Sequence, residues 1–192
     1  MTGVAGPMMR GSRAASIRFI TGLFAGGAAA GVVLAVPAYL VGTAIRAATP
    51  AWWRVVIVAV ACMAFGIADL INRTPHVWRQ VPQRLYHALS PGTLGLVWGF
   101  DLGLFFTTQK VVSLIWVAIL AVVLFAPTQA AAAFVAFSIL ATLAVTVQTV
   151  RGQIRTVPVT GWERTWRKRV RQASGVTLIL LALLSVAEMW PV

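Results

Sequence analysis

The chain alternates long apolar stretches with short connectors that carry arginine. The apolar runs show neither the strict alternation of a half-buried strand nor the broad polar face of a soluble helix. Five stretches stand out, at about 17–45, 52–72, 93–126, 128–150 and 174–190. Each approaches or exceeds the roughly 20 residues that a helix needs to cross a bilayer core. The pattern predicts an all-α integral membrane protein with about five transmembrane helices.

The third stretch is unusual, running for 34 residues but interrupted by Thr107, Thr108, Gln109 and Lys110. As one straight helix it would reach about 51 Å, which is too long. Split into two crossings, each arm would span about 22 Å, short of a roughly 30 Å core. A single long, broken third crossing is therefore expected, its polar step buried in protein or lining a cavity.

A faint repeat overlies this layout. Gly22, Gly26 and Pro50 recur as Gly99, Gly103 and Pro127, 77 positions later, and each copy is followed by another apolar segment. The reading is two tandem hairpins, about 20–72 and 97–150, plus a last helix at about 174–190. They form one membrane domain, 17–192, behind a basic N-terminus, 1–16, expected in the cytoplasm. The first apolar run far exceeds the roughly 7–15 residues of a signal-peptide core, so it is expected to stay in place.

Composition agrees, with 59% hydrophobic and 10% charged residues. A soluble domain carries about 25% charged residues. The net charge of +12 comes with no recognition helix, zinc-ligand set or basic–aromatic sheet motif, and no nucleic-acid partner is expected. Topology accounts for the arginines. With the N-terminus inside, five crossings place thirteen cations on the inner side and two, Arg46 and Arg54, outside. That is a strong positive-inside bias, whereas six crossings would expose the arginine-rich 151–171 loop on the wrong side. The expected location is a bacterial plasma (inner) membrane, N-terminus cytoplasmic and C-terminus extracytoplasmic. The 77–89 stretch reads as an interfacial helix or a plain connector. Arg164, Arg167, Lys168, Arg169 and Arg171 form a juxtamembrane cluster that anchors topology and should attract anionic lipid headgroups.

Candidate chemistry is sparse. Gly22 and Gly26, and Gly95, Gly99 and Gly103, recur every four residues and predict faces for close helix packing. Asp69 precedes Arg73 by four positions, the spacing of a helical ion pair. Asp101 lies inside an apolar segment between Gly99 and Gly103, where a carboxylate is costly and marks either a packing residue or a solute path. Thr107, Thr108, Gln109 and Lys110 extend that candidate substrate or ion path. Two histidines without partnering thiolates make no metal site, Cys62 has no disulfide partner, and no catalytic motif or cofactor site is read.

The run Gly99-Phe-Asp-Leu-Gly-Leu-Phe-Phe-Thr-Thr-Gln-Lys resembles the DsbD/CcdA-type transmembrane thiol–disulfide electron carriers. In that family a long glycine-rich helix breaks near a Thr-Pro-Cys step, and Thr107-Thr108-Gln109 falls where that step would be. Both reactive cysteines are missing, so disulfide relay by this chain alone is excluded, and the resemblance implies a scaffold without the redox activity. Two functions follow as expectations: a non-catalytic membrane subunit that docks a membrane or extracytoplasmic protein, or a small-solute carrier with a midplane polar site.

Overall fold

A computed structural model describes residues 12–75, 88–105, 112–154 and 162–187, with side chains described except at 148–154 and 162–165. The helices are α1 Arg13–Ala48, α2 Ala51–Leu70, α3 Pro91–Gly103, α4 Leu114–Phe125, α5 Ala130–Ile154 and α6 Trp162–Ala187, with a 3-10 turn, Pro127–Gln129, before α5. Among the described residues four helical stretches are long and apolar enough to cross a membrane: Arg13–Ala48, Ala51–Leu70, Pro127–Val147 and Trp166–Ala187. Large apolar side chains such as Val60, Leu140 and Leu184 lie on the outside at 60% exposure or more, as suits a protein whose solvent is hydrocarbon. Hydroxyls on these helices turn back onto their own backbone, Thr43 to Tyr39, Thr177 to Ala173 and Ser185 to Leu181. That satisfies each hydroxyl donor within its own helix.

The third apolar stretch is not one helix. α3 is capped at its start by Ser90, whose hydroxyl accepts the Thr93 amide, with Pro91 in the first turn. It ends at Gly103, and Phe105 follows in the left-handed region at φ 57°. An L-residue there costs roughly 1–2 kcal/mol. The Phe105 ring is 1% exposed and packs on Phe134 and Phe137 at centroid distances of 6.1 and 6.2 Å, contacts that offset the strain. α4 then starts at Leu114. The helix thus stops before Thr107, and Thr107, Thr108, Gln109 and Lys110 lie outside the described residues, as do most of the 77–89 stretch and the side chain of Arg164.

The described residues fall into two compact units, and α1 contributes to both, dividing between Val36 and Pro37. In the first unit glycines let backbones touch. A Cβ at Gly22 would strike the Gly92 carbonyl, at Gly26 the Leu96 carbonyl, at Gly95 the Phe19 carbonyl and at Gly99 the Leu23 carbonyl. Gly103 sits against Gly27 and Ala30. The contacts advance together along both helices, so α1 and α3 are parallel. On its other side α1 meets α5 through Gly27, beside Ser138 and Thr142, and Gly31, beside Phe134 and Val135. That order is antiparallel. Small residues on two faces thus let one helix pack closely against two neighbours at once.

In the second unit α2 and α6 pack antiparallel through Gly66 and Gly175, with Cys62, Val117, Leu178 and Ala182 buried beside them. α4 runs antiparallel to α2 and parallel to the 37–48 part of α1, where Gly42 lies against the Val123 carbonyl.

The glycine contacts make a sharp prediction. Gly26→Ala should destabilise the protein by about 3 kcal/mol or more, since backbone rather than a movable side chain blocks the methyl. Gly92→Ala should be neutral or stabilising by up to about 1 kcal/mol, because its methyl would come no closer than 3.7 Å to Arg18. Thermal unfolding of the two variants in detergent checks the contrast, and equal effects would sink it.

Candidate functional site

The most elaborate polar constellation lies in the second unit, around Asp69. This residue stands one position from the end of α2 and is fully buried. α2 ends in a Schellman turn: the Arg73 amide donates to the Ala68 carbonyl at 2.7 Å and the Asn72 amide to the Asp69 carbonyl at 3.1 Å. Asn72 takes the left-handed conformation at φ 60°, which its side chain tolerates better than most. The turn carries Thr74 back beneath the helix, and its hydroxyl donates to Asp69 Oδ1 at 2.7 Å.

Two further elements converge on the same carboxylate. Ser113, at the N-cap of α4, donates its hydroxyl to Oδ1 at 2.7 Å and its amide to Oδ2 at 2.9 Å. Ser174 of α6 donates to Oδ2 at 2.8 Å. Ser113 makes no side-chain cap for its own helix. The carboxylate from α2 takes that place, with negative charge set against the positive end of the α4 dipole. The dipole of α2 itself opposes a carboxylate at its C-terminus, where four donors from three other stretches of chain meet it. Nearby, Trp116 Nε1 donates to the Pro75 carbonyl at 3.3 Å, and Arg171 Nη1 donates to the Asn72 carbonyl at 3.4 Å.

The i,i+4 ion pair with Arg73 that the sequence suggests is not how Asp69 is used. The helix stops at Leu70, Arg73 is exposed, and the carboxylate is occupied by hydroxyl and amide donors. Reading Asp69 as half of a helical ion pair missed this arrangement. Ser113 and Ser174 give no local signal, since they are 44 and 105 positions away.

The other end of α4 receives the opposite charge. Arg54 Nη1 donates to the Leu124 carbonyl at 3.3 Å, and Arg46 Nη1 reaches the Phe125 carbonyl at 3.5 Å. Both cations serve carbonyls that the helix end leaves without intrahelical partners. Trp52 and Trp53 stack beside them in sequence, with centroids 4.7 Å apart.

Asp101 lies in the first unit, in α3, and is buried at 9% exposure. Gly99 and Gly103 flank it and are given over to the contact with α1. At the same level Thr142 is fully buried, its hydroxyl without a hydrogen-bond partner, and would lie 3.2 Å from a Cβ at Gly27. Of the basic cluster, Arg167, Lys168 and Arg169 are exposed and Arg171 is half-buried. Among the described residues no group of histidine, cysteine and acidic side chains is placed to hold a metal.

No protein-family model, curated protein or solved structure matches the chain.

The Asp69 constellation is testable without knowing the function. Asp69→Ala leaves four buried donors without their acceptor and should cost about 3–5 kcal/mol. Ser174→Ala, which removes one donor to a charged group, should cost about 1.5–3 kcal/mol. Unfolding midpoints in detergent measure both, and a near-silent Asp69→Ala would remove the constellation from the folding argument.

Proposed function

We propose that this chain is a non-catalytic subunit or scaffold of a bacterial inner membrane, which docks a membrane or extracytoplasmic partner protein. The observation that carries the reading is the use made of its polar groups. Asp69, Arg46 and Arg54 all hydrogen-bond within the chain to place α4. The glycine faces are likewise turned onto neighbouring helices of the same chain. The chemistry goes into a fixed framework, and the partner contact falls to the apolar outer faces and the connectors.

Helix directions support five crossings. α3 runs parallel to the 13–36 part of α1 and α5 runs against it. In the other unit α4 and α6 both run against α2. Six crossings would set α4 and α6 parallel to α2, whereas one broken third crossing sets both against it. The duplicated layout has similar support. α1 ends at Ala48 and α4 at Phe125, 77 positions apart, and the proline at 50 recurs at 127. The N-terminus inside and the C-terminus outside follow from the arginine distribution. The DsbD/CcdA-like part of the proposal is a related scaffold stripped of its thiols.

A carrier or relay is the second reading, and Asp101 favours it. A carboxylate buried in an apolar helix two residues before that helix ends is a costly feature that serves solute passage in many membrane proteins. In that reading Thr107, Thr108, Gln109 and Lys110 continue the path.

The two readings separate experimentally. Purification of the tagged chain from its host in mild detergent, with reciprocal capture through the protein found, should yield one stoichiometric partner. Asp101→Asn should leave that complex and the protein level unchanged. Recovery of the chain alone, together with loss of a host phenotype in an abundant Asp101→Asn protein, would replace the scaffold with the carrier.

A further inference from the structure

Two arginines from different helices are brought to one place at the end of α4. Arg46, in the last turn of α1, donates through Nη1 to the Phe125 carbonyl. Arg54, in the first turn of α2, donates through Nη1 to the Leu124 carbonyl. The two acceptors are consecutive residues, so the guanidinium groups lie side by side. Each commits one nitrogen to its carbonyl, and Arg54 Nε is buried with no hydrogen-bond partner. Among the described residues neither arginine pairs with a carboxylate. Asp69 serves the opposite end of α4, and Asp101 belongs to the other unit.

The C-terminus of α4 carries about half a negative charge, which leaves most of the charge of two guanidinium groups unmatched. Arg54 also stands at the wrong end of its own helix, since the dipole of α2 disfavours a cation in the first turn. That turn holds no acidic residue, and its N-cap, Pro50, makes no side-chain cap for the amides of residues 51–53. One anion between the guanidinium groups and this turn meets both demands. The surroundings indicate its source. Trp52 and Trp53 stack at this end of α2 and are 55% and 47% exposed, side chains suited to the headgroup layer. Trp53, Ile57 and Val60 then follow as one exposed apolar stripe down the helix. Ile57 lies only about 60° around the helix from Arg54, so the stripe borders the two cations.

We infer that Arg46 and Arg54 form a defined binding site for the phosphate of an anionic phospholipid headgroup. The site rests on the membrane placement proposed above and adds a specific ligand to it. Guanidinium groups donate in a fork that matches phosphate oxygens, and the nitrogens not engaged with α4 supply the donors. An acyl chain of the bound lipid lies along the Trp53, Ile57 and Val60 stripe. The same two side chains thus hold the end of α4 and a lipid. Diffuse attraction depends on the total charge near the membrane. A built site depends on which cation is removed.

Native mass spectrometry of the full, delipidated chain in detergent, titrated with phosphatidylglycerol and with phosphatidylcholine, tests this. Wild type should bind one phosphatidylglycerol and prefer it to phosphatidylcholine. Arg73→Gln removes an exposed cation beyond the other end of α2 and should bind as wild type does. Arg46→Gln, at an exposed side chain, should weaken binding about fivefold while its unfolding midpoint stays close to that of wild type. Arg54→Lys keeps a cation beside Leu124 but loses the fork and Nε, and it should weaken binding to a similar degree. Equal weakening by Arg73→Gln, or undiminished binding by both site variants, would overturn the site. Displacement of the lipid by equimolar inorganic phosphate would overturn the lipid assignment in favour of a free-anion site. A chain that binds the lipid yet brings down no partner refutes the scaffold and leaves this inference standing. A partner captured with no lipid preference does the reverse.

Discussion

A short apolar helix, α4, is held at both ends by charges that it does not own. Its twelve residues, Leu114–Phe125, include no charged side chain. At its N-terminus stands the carboxylate of Asp69, and at its C-terminus the guanidinium groups of Arg46 and Arg54. Each sign matches the partial charge of the helix end it meets. In a low-dielectric setting such matching counts for more than in water, and an unmatched helix end or an unpartnered carboxylate would be correspondingly costly. The 37–48 part of α1, α2 and α6 share one unit with α4, and each supplies a group to these ends or to the carboxylate that serves them.

The first unit is held by a different force. Its helices meet through glycine, with carbonyl oxygens of one chain segment seated where a side chain would otherwise be. Small residues at such contacts let the backbones approach closely, so that van der Waals packing joins the helices. Small residues on two faces of α1 give it two such partners, α3 and α5. One chain thus uses backbone packing in one unit and charge placement in the other, and α1 takes part in both.

Much of this was readable from residues in order. The apolar runs foretold the helices, since a run of about 20 hydrophobic residues has few other fates. Glycines at four-residue spacing marked packing faces, and the polar interruption of the third stretch marked a break. The break came earlier than the polar residues, because the left-handed Phe105 ends the turn where its ring can pack on Phe134 and Phe137. Asp69 misled for a related reason. Its spacing to Arg73 assumed a helix that continued, and the Schellman turn at Asn72 ended it.

What the sequence determined by itself was the secondary structure and the helices long and apolar enough to cross a membrane, because both follow from composition and periodicity over neighbouring residues. Tertiary structure alone decided the partners. Ser113 and Ser174 are ordinary serines until two other helices bring them to Asp69, and Arg46 and Arg54 are ordinary connector cations until α4 ends beside them. Charge placement acts through space, over a few ångströms, between residues tens of positions apart. No local pattern records that distance.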